Sequence, residues 1–311
     1  MNKLYCMGEA LIDFTPRGEG VFCRNAGGAP ANVAVCAARL GAPAAMITKL
    51  GRDMFGDYLE NILSQNGVET DYVYRTSKAN TALAFITLGE KGERSFTFYR
   101  NPSADMMLEE AEVESIPFVR GDILHFGSVD LVDYPVRKAH LAAIRRAKAA
   151  GATVSFDPNL RYNLWHSSEE LISVVNAFWP LSDIVKVSEE ELKVISGKND
   201  EAAAVKFMFR GDVKLLFVTR GARGSSVYTV QGNEYSVPAE KCNCADTTGA
   251  GDGFTGAVLY KTLESGVVRG KLAEMGEELK KFLIAGNKVG AYVCERSGAI
   301  PAMPTHKEIF G

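Results

Sequence analysis

A chain of 311 residues, 46 % hydrophobic and 23 % charged, suits one large α/β domain with an attachment and a substantial core. Thirty-five basic against 38 acidic residues leave a net charge of −3, which excludes the basic footprint of a nucleic-acid or membrane-surface binder. No apolar run reaches the ~20 residues of a bilayer span, and Met1 to Ala10 enters a strand pattern without a signal-peptide core, so the expected compartment is the cytoplasm.

Tyr5 to Gly8 reads as a short strand, and Asp13 interrupts the apolar stretch after it, as a turn residue or as a pocket residue near a strand end. Asn25 to Pro30 opens a helix. Proline suits the first turn, and Val33, Ala37 and Leu40 follow at helical spacing. Asn32 falls in that turn, where its side chain can meet a ligand beside Gly27 and Gly28. Met46 to Leu50 predicts another strand. Gly51 to Gly56 leads into a helix with Phe55, Leu59, Ile62 and Leu63 on one face, ended by Asn66-Gly67.

From about residue 70 to 101 the character changes. Thr81 to Leu88 and Ser95 to Tyr99 are rich in β-branched and aromatic residues and are joined by Gly89 to Glu93, a hairpin pattern. It predicts a small β-flap apart from the main sheet, with a further strand from Phe14 to Cys23. The expected flap therefore spans about 12–25 and 70–101 of a single domain covering 1–311.

Beyond Asp122, strands at Ile123–Phe126, Thr153–Phe156, Ile184–Val187 and Leu215–Thr219 alternate with helices at about Val136–Ala150, Ser168–Phe178 and Glu201–Phe209. This order predicts a mainly parallel sheet covered on both faces. Polar residues fall at the carboxyl ends of these strands: Asp157, Asn159 and Arg161, then Lys186 and Ser188, then Thr219 and Arg220. Open α/β sheets bind ligands at that edge. The acidic run Glu189–Glu191 suits a helix start, Thr219 a turn at a strand end, and His125 a packed position. The last helix is expected over about Lys280 to Cys294. The six cysteines are dispersed as reduced thiols, and Cys242 and Cys244 have no histidine near them to suggest zinc.

The stretch Asp246-Thr-Thr-Gly-Ala-Gly-Asp-Gly-Phe-Thr-Gly256 carries the chemistry. Its glycines let main chain approach a ligand, and Asp246, Thr247 and Thr248 are N-cap types for a helix starting near Ala250. A helix start offers unpaired N–H groups and a positive dipole end, which make an anion site. Asp252 within it either caps the helix or acts on something bound there. G-x-G-x-x-G after an early strand, H-E-x-x-H and C-x-x-C are absent, and Gly266 to Leu272 is one spacer short of a P-loop and ends in leucine. Phosphoryl transfer to a hydroxyl remains: the N–H groups of Gly249, Ala250 and Gly251 take the phosphoryl charge while Asp252 takes the acceptor's proton.

These residues resemble the C-terminal signature of the ribokinase-like (phosphofructokinase-B type) carbohydrate kinases. Gly27-Gly28-Ala-Pro-Ala-Asn32, with Leu50-Gly-Arg-Asp-Met-Phe-Gly56, resembles the N-terminal one. Phe98 to Asp105 and Asp157 to Trp165 look most like the bacterial fructokinase branch. The resemblance implies a three-layer fold with a mainly parallel sheet and a β-sheet lid that closes over sugar and pairs in a homodimer. It implies Asp252 as general base, Gly249 to Gly251 as anion hole, and Asp13, Gly28 and Asn32 on sugar hydroxyls. Arg100 would reach the sugar from the lid and Arg161 the transferred phosphate, each against a plain reading as a surface arginine. Lys186, Ser188, Glu191, Thr219, Gly221 and Gly224 would border ATP and Mg2+, with Asn287 near the adenine. The family's usual Asn-x-x-Glu is Ser188-Glu-Glu-Glu191 here, a departure that touches the water-mediated link to phosphate or metal. Asp246 and Thr248, with Ser297 to Ala302, would hold a K+-like monovalent cation. The implied reaction is ATP-dependent conversion of fructose to fructose 6-phosphate. The alternatives are 2-keto-3-deoxygluconate, ribose or aminoimidazole riboside as substrate, or a non-catalytic sugar-binding regulator.

Overall fold

The structure is a computed structural model that describes residues 1–88 and 94–311; the turn expected at Gly89 to Glu93 lies outside the described residues. The chain begins with β1 (Leu4–Met7), β2 (Leu11–Gly18) and β3 (Val21–Gly27), then α1 (Ala29–Arg39), β4 (Ala44–Gly51) and α2 (Met54–Gln65). Four strands follow: β5 (Val68–Glu69), β6 (Val73–Thr76), β7 (Leu83–Leu88) and β8 (Arg94–Tyr99). Helices and strands then alternate as α3 (Glu110–Val113), β9 (Ile123–Gly127), α4 (Pro135–Ala149), β10 (Thr153–Asp157), α5 (Ser168–Phe178) and β11 (Ile184–Ser188). After them come α6 (Glu189–Ser196), α7 (Glu201–Met208), β12 (Leu215–Thr219), β13 (Ser225–Thr229) and β14 (Glu234–Val237). The chain closes with α8 (Ala250–Glu264), α9 (Glu278–Cys294) and α10 (His306–Phe310).

The main sheet has ten strands in the order β14-β13-β12-β11-β10-β9-β1-β4-β5, with β6 also on β4. It is parallel from β5 to β12, and the pairs β12–β13 and β13–β14 are antiparallel. Successive side chains of a strand point to opposite faces, so Leu4 and Cys6 join one core and Tyr5 and Met7 the other. The first core is covered by α1, α2, α8 and α9, the second by α4 to α7. This is the three-layer α/β arrangement expected. Among the described residues, no helix is long and apolar enough to cross a membrane.

A separate sheet runs β3-β2-β7-β8, with β2 parallel to β7 and the outer pairs antiparallel. Two expectations change here. The segment read as one strand over Phe14 to Cys23 is two, β2 and β3, turning near Gly20, where φ is +69°. Val73–Thr76, read with the flap, instead pairs in parallel with Thr48–Gly51 of β4. There it satisfies backbone groups that β5, reaching only Ala44 and Ala45, leaves open. The β13–β14 hairpin at the sheet edge is absent from the sequence reading; Ser225–Thr229 turning through Gly232 was its local sign.

Candidate active site

Helices α1 and α8 pack closely because small residues face each other: a Cβ on Gly256 would stand 2.7 Å from the Cys36 Cβ, and Cys36 Sγ donates to the Gly253 carbonyl at 3.5 Å. This brings both first turns to one place, beside the carboxyl ends of the parallel strands and under the small sheet. A cavity of about 370 Å³ lies there. Of the expected residues, Asp13, Gly28, Asn32, Arg161, Lys186, Thr248, Gly249, Gly251 and Asp252 line it.

Helix α8 starts at Ala250 as predicted, but its N-cap is Gly249 with φ +79°, and no side chain caps it. Asp246, Thr247 and Thr248 are therefore not its N-cap. Left-handed backbone favours glycine, and Ala299 leaves no room either: a Cβ on Gly249 would lie 2.9 Å from the Ala299 Cβ. Gly28, the N-cap of α1, has φ +109°, and a Cβ there would meet the Glu9 carbonyl oxygen at 2.3 Å.

Asp252, in the first turn of α8, is not spent on capping. Its Oδ2 accepts from Asn32 Nδ2 at 2.7 Å. Burial raises its pKa, the Asn32 bond opposes that, Asp157 adds to it, and Lys186 and Arg161 oppose it. Across the cavity, burial pushes Asp13 up to about 7, with Arg161 opposing and Asp252 reinforcing. Two carboxyls with raised affinity for protons thus face a common space, beside one arginine.

Opposite them lies a positive group. Lys186 Nζ donates to Asp157 Oδ2 at 3.0 Å, and a Cβ on Gly251 would stand 3.3 Å from that nitrogen. Asp157 and Glu191 help keep Lys186 charged against the cost of burial. Thr255 Oγ1 donates to the same Asp157 oxygen at 3.2 Å, tying α8 to the end of β10. Gly249 and Gly251 face the cavity, whereas the Ala250 N–H turns back on the Thr247 carbonyl at 3.2 Å and Ala250 is not on the wall.

The remaining expected ligands lie off the cavity. Ser188 and Glu191 form a capping box on α6: Ser188 Oγ accepts from Glu191 N at 3.1 Å and Glu191 Oε2 from Ser188 N at 2.8 Å. Glu191 Oε1 accepts from Leu160 N at 2.9 Å. Thr219 ends β12, its hydroxyl donating to the Val187 carbonyl at 3.5 Å, and the following short turn of 3-10 helix begins at Gly221 and is closed by Gly224. Asn287 braces the β13–β14 edge, accepting from Ser225 Oγ at 2.8 Å and donating to the Pro238 carbonyl at 3.0 Å. Asp246 accepts from Thr248 N at 2.8 Å and Gly298 N at 3.2 Å, which joins the two segments expected around a monovalent cation.

Arg100 is placed differently from both readings of it. It is neither a surface arginine nor on the cavity wall; its side chain is 3 % exposed and paired with Asp105 and Asp130. His125 is packed as expected, within hydrogen-bond distance (3.1 Å) of Ser155 Oγ, and burial lowers its pKa to about 3. Sequence reasoning assigned no site role to Glu9, Phe98 or Val129, which line the cavity. Glu9, a charged residue inside an apolar run, was the one visible sign. The six cysteines are free.

The pfkB family carbohydrate kinase model matches residues 1–306. The chain belongs to the pfkB family of carbohydrate kinases. It is 44 % identical over 311 residues to fructokinase-1 of Oryza sativa subsp. japonica, covering 97 % of this chain and 95 % of that one. The fructokinase of Xylella fastidiosa with bound ATP superposes with a TM-score of 0.90 at 37 % identity, covering 99 % and 96 % of the two chains. The fructokinase of Vibrio cholerae O395, holding fructose, ADP and a calcium ion, gives 0.88 at 32 % identity over 100 % and 98 %.

Proposed function

We propose that this protein is a cytoplasmic ATP-dependent fructokinase, transferring the terminal phosphoryl group of ATP to the 6-hydroxyl of D-fructose. The observation that carries the reading is the Asn32-held Asp252 carboxylate in the first turn of α8, facing a wall of glycine main chain and the Lys186 ammonium. The fructokinase names of the relatives support fructose as the sugar.

In this reading Asp13, Gly28 and Asn32 hold sugar hydroxyls, and Asp252 accepts the proton of the attacking hydroxyl as the new O–P bond forms. The N–H groups around Gly249 and Gly251, with Lys186 and Arg161, face the charge on the transferred group, so most of the catalysis is positioning and electrostatics. The residues present fit ATP: two cavity-facing positions lack Cβ, and the partly buried Lys186 stands beside them. The nucleotide would extend toward Thr219, Gly221, Gly224 and Asn287. They also fit Mg2+ carried by phosphate. Among the described residues no group of three or more acids, histidines or cysteines forms a cage, and Mg2+ is commonly held by one or two carboxylates plus substrate phosphates. Glu191 would act on the ion through water, and Ser188, engaged in the capping box, would take no part. Asp246 and Thr248 would position the loop for a monovalent cation.

The small sheet supports a homodimer. Phe14, Phe22, Phe85 and Tyr99 contact one another across it, and Phe22 and Tyr99 are 44 % and 63 % exposed. Exposed aromatic ladders of this kind mark interaction surfaces. A Phe22→Asp protein sedimenting as a monomer, against a dimeric wild type, is the expected result.

The function is tested by following ADP release across fructose, 2-keto-3-deoxygluconate, ribose and aminoimidazole riboside. Fructose should give the highest kcat/KM, and chelation of divalent ions should abolish turnover. Preference for another sugar would move the protein to a different branch of its family.

A further inference from the structure

Behind the sugar side of the cavity lies a buried charge cluster that no step above uses. Arg100, the residue after β8, donates through Nη2 to Asp105 Oδ2 at 2.5 Å and to Asp130 Oδ1, and the three side chains are at most 3 % exposed. Ser103 Oγ donates to Asp105 as well. Glu9 is buried on the cavity wall within electrostatic reach of Arg100 and Asp130. Three carboxyl groups therefore share one guanidinium.

The members of this cluster are chain neighbours of the wall. Phe98, two residues before Arg100, and Val129, next to Asp130, both line the cavity. Phe98 comes from the small sheet and Val129 from the loop after β9 of the main sheet, so the ion pair ties the two sheets together where they enclose the cavity. Glu9 lines the wall itself, and its Oε1 accepts the Ala29 N–H at 2.9 Å, at the start of the turn that carries Asn32.

We propose that Arg100 is a positioning residue for sugar specificity: bound to Asp105 and Asp130, it fixes the distance between Phe98 and Val129 and so the width of the space the sugar enters. It acts through its carboxylate partners and touches no substrate. A lysine does not reproduce this, because its shorter stem does not carry an ammonium to the place where Nη2 meets both carboxylates. This inference rests on the sugar-kinase reading and deepens it.

The test compares R100K, D130N and the double variant in the full-length protein. R100K is expected to raise the fructose KM about tenfold and D130N less, with kcat and the ATP KM within about twofold of wild type. The double variant should be no worse than R100K alone, because both changes break one contact. Multiplicative effects, a shift in the ATP KM, or a fructose KM untouched by D130N would overturn the proposal, the last by showing that Arg100 acts without its partner. D130N is nearly isosteric and relieves one of three crowded carboxylates, so it decides the matter if R100K fails to fold. Sugar affinity from calorimetry reads the same comparison without turnover, using whichever sugar of the panel gives the largest rise in Tm. A wild type that binds sugar but transfers no phosphoryl group would fail the kinase reading alone.

Discussion

Asn32 and Asp252 stand 220 positions apart in the chain, and the amide of one donates to the carboxylate of the other at 2.7 Å. The contact leaves Asp252 oriented and favours its charged form, which is what a base near a hydroxyl requires. Asp252→Asn should lower kcat by at least about 10²–10⁴-fold while fructose still binds. Calorimetric titration beside a turnover assay separates the two effects.

Losing the Asn32 amide should shift the pH profile in a definite direction. Its hydrogen bond holds the Asp252 pKa down against burial. In Asn32→Ala the pKa rises further, so the base is protonated at higher pH and the acid limb of kcat/KM moves upward. An unmoved limb would mean that another group controls it.

Asp13 links the site to stability. Its carboxyl in the folded protein titrates at about 7 instead of near the usual 3.8. The folded state therefore binds this proton more tightly than the unfolded chain. The stability this contributes is complete below about pH 4 and is lost as the pH rises to about 7. Asp13→Asn should raise the Tm of the sugar-free protein at pH 8, by an amount equivalent to about 1–2 kcal/mol, and abolish fructose binding. Thermal melts at pH 5 and pH 8 should show a clearly larger gain at the higher pH.

The left-handed Gly249 predicts a second kind of loss. Alanine there would strain the backbone and press on Ala299, at a cost of about 1–3 kcal/mol in stability. It would also turn the main chain that faces the phosphoryl group. A kcat loss of about 10²-fold with fructose affinity retained is expected.

Lys186 should behave as a charge at the transfer site. Its raised pKa keeps it protonated through neutral pH. Lys186→Met should lower kcat by about 10²–10³-fold with fructose affinity unchanged. A loss confined to the fructose KM would place the lysine on the sugar instead.

What the amino-acid order revealed was local. A glycine at φ +109° or +79° and a proline in the first turn of a helix are demanded by the backbone at those positions, so both signatures were legible. The alternation of strands with helices likewise exposed the parallel sheet. Arg100 was misread because its environment depends on Asp105 and on Asp130, from the far side of β9, which spacing does not show. Val73–Thr76 carried the β-rich composition of the flap, and only the open edge of β4 explains where it went. The N-cap of α8 was misjudged because three good capping residues precede a glycine whose conformation starts the helix by itself.

The packing of α1 against α8 also bears on how the protein is made. Asn32 leaves the ribosome long before Asp252, and until α8 docks the cavity lacks the wall that Gly249, Gly251 and Asp252 supply. Contacts between such distant segments close slowly. A chain ending before Asp246 should bind no sugar at all, and sugar in the cell would act as a ligand of the last step of assembly.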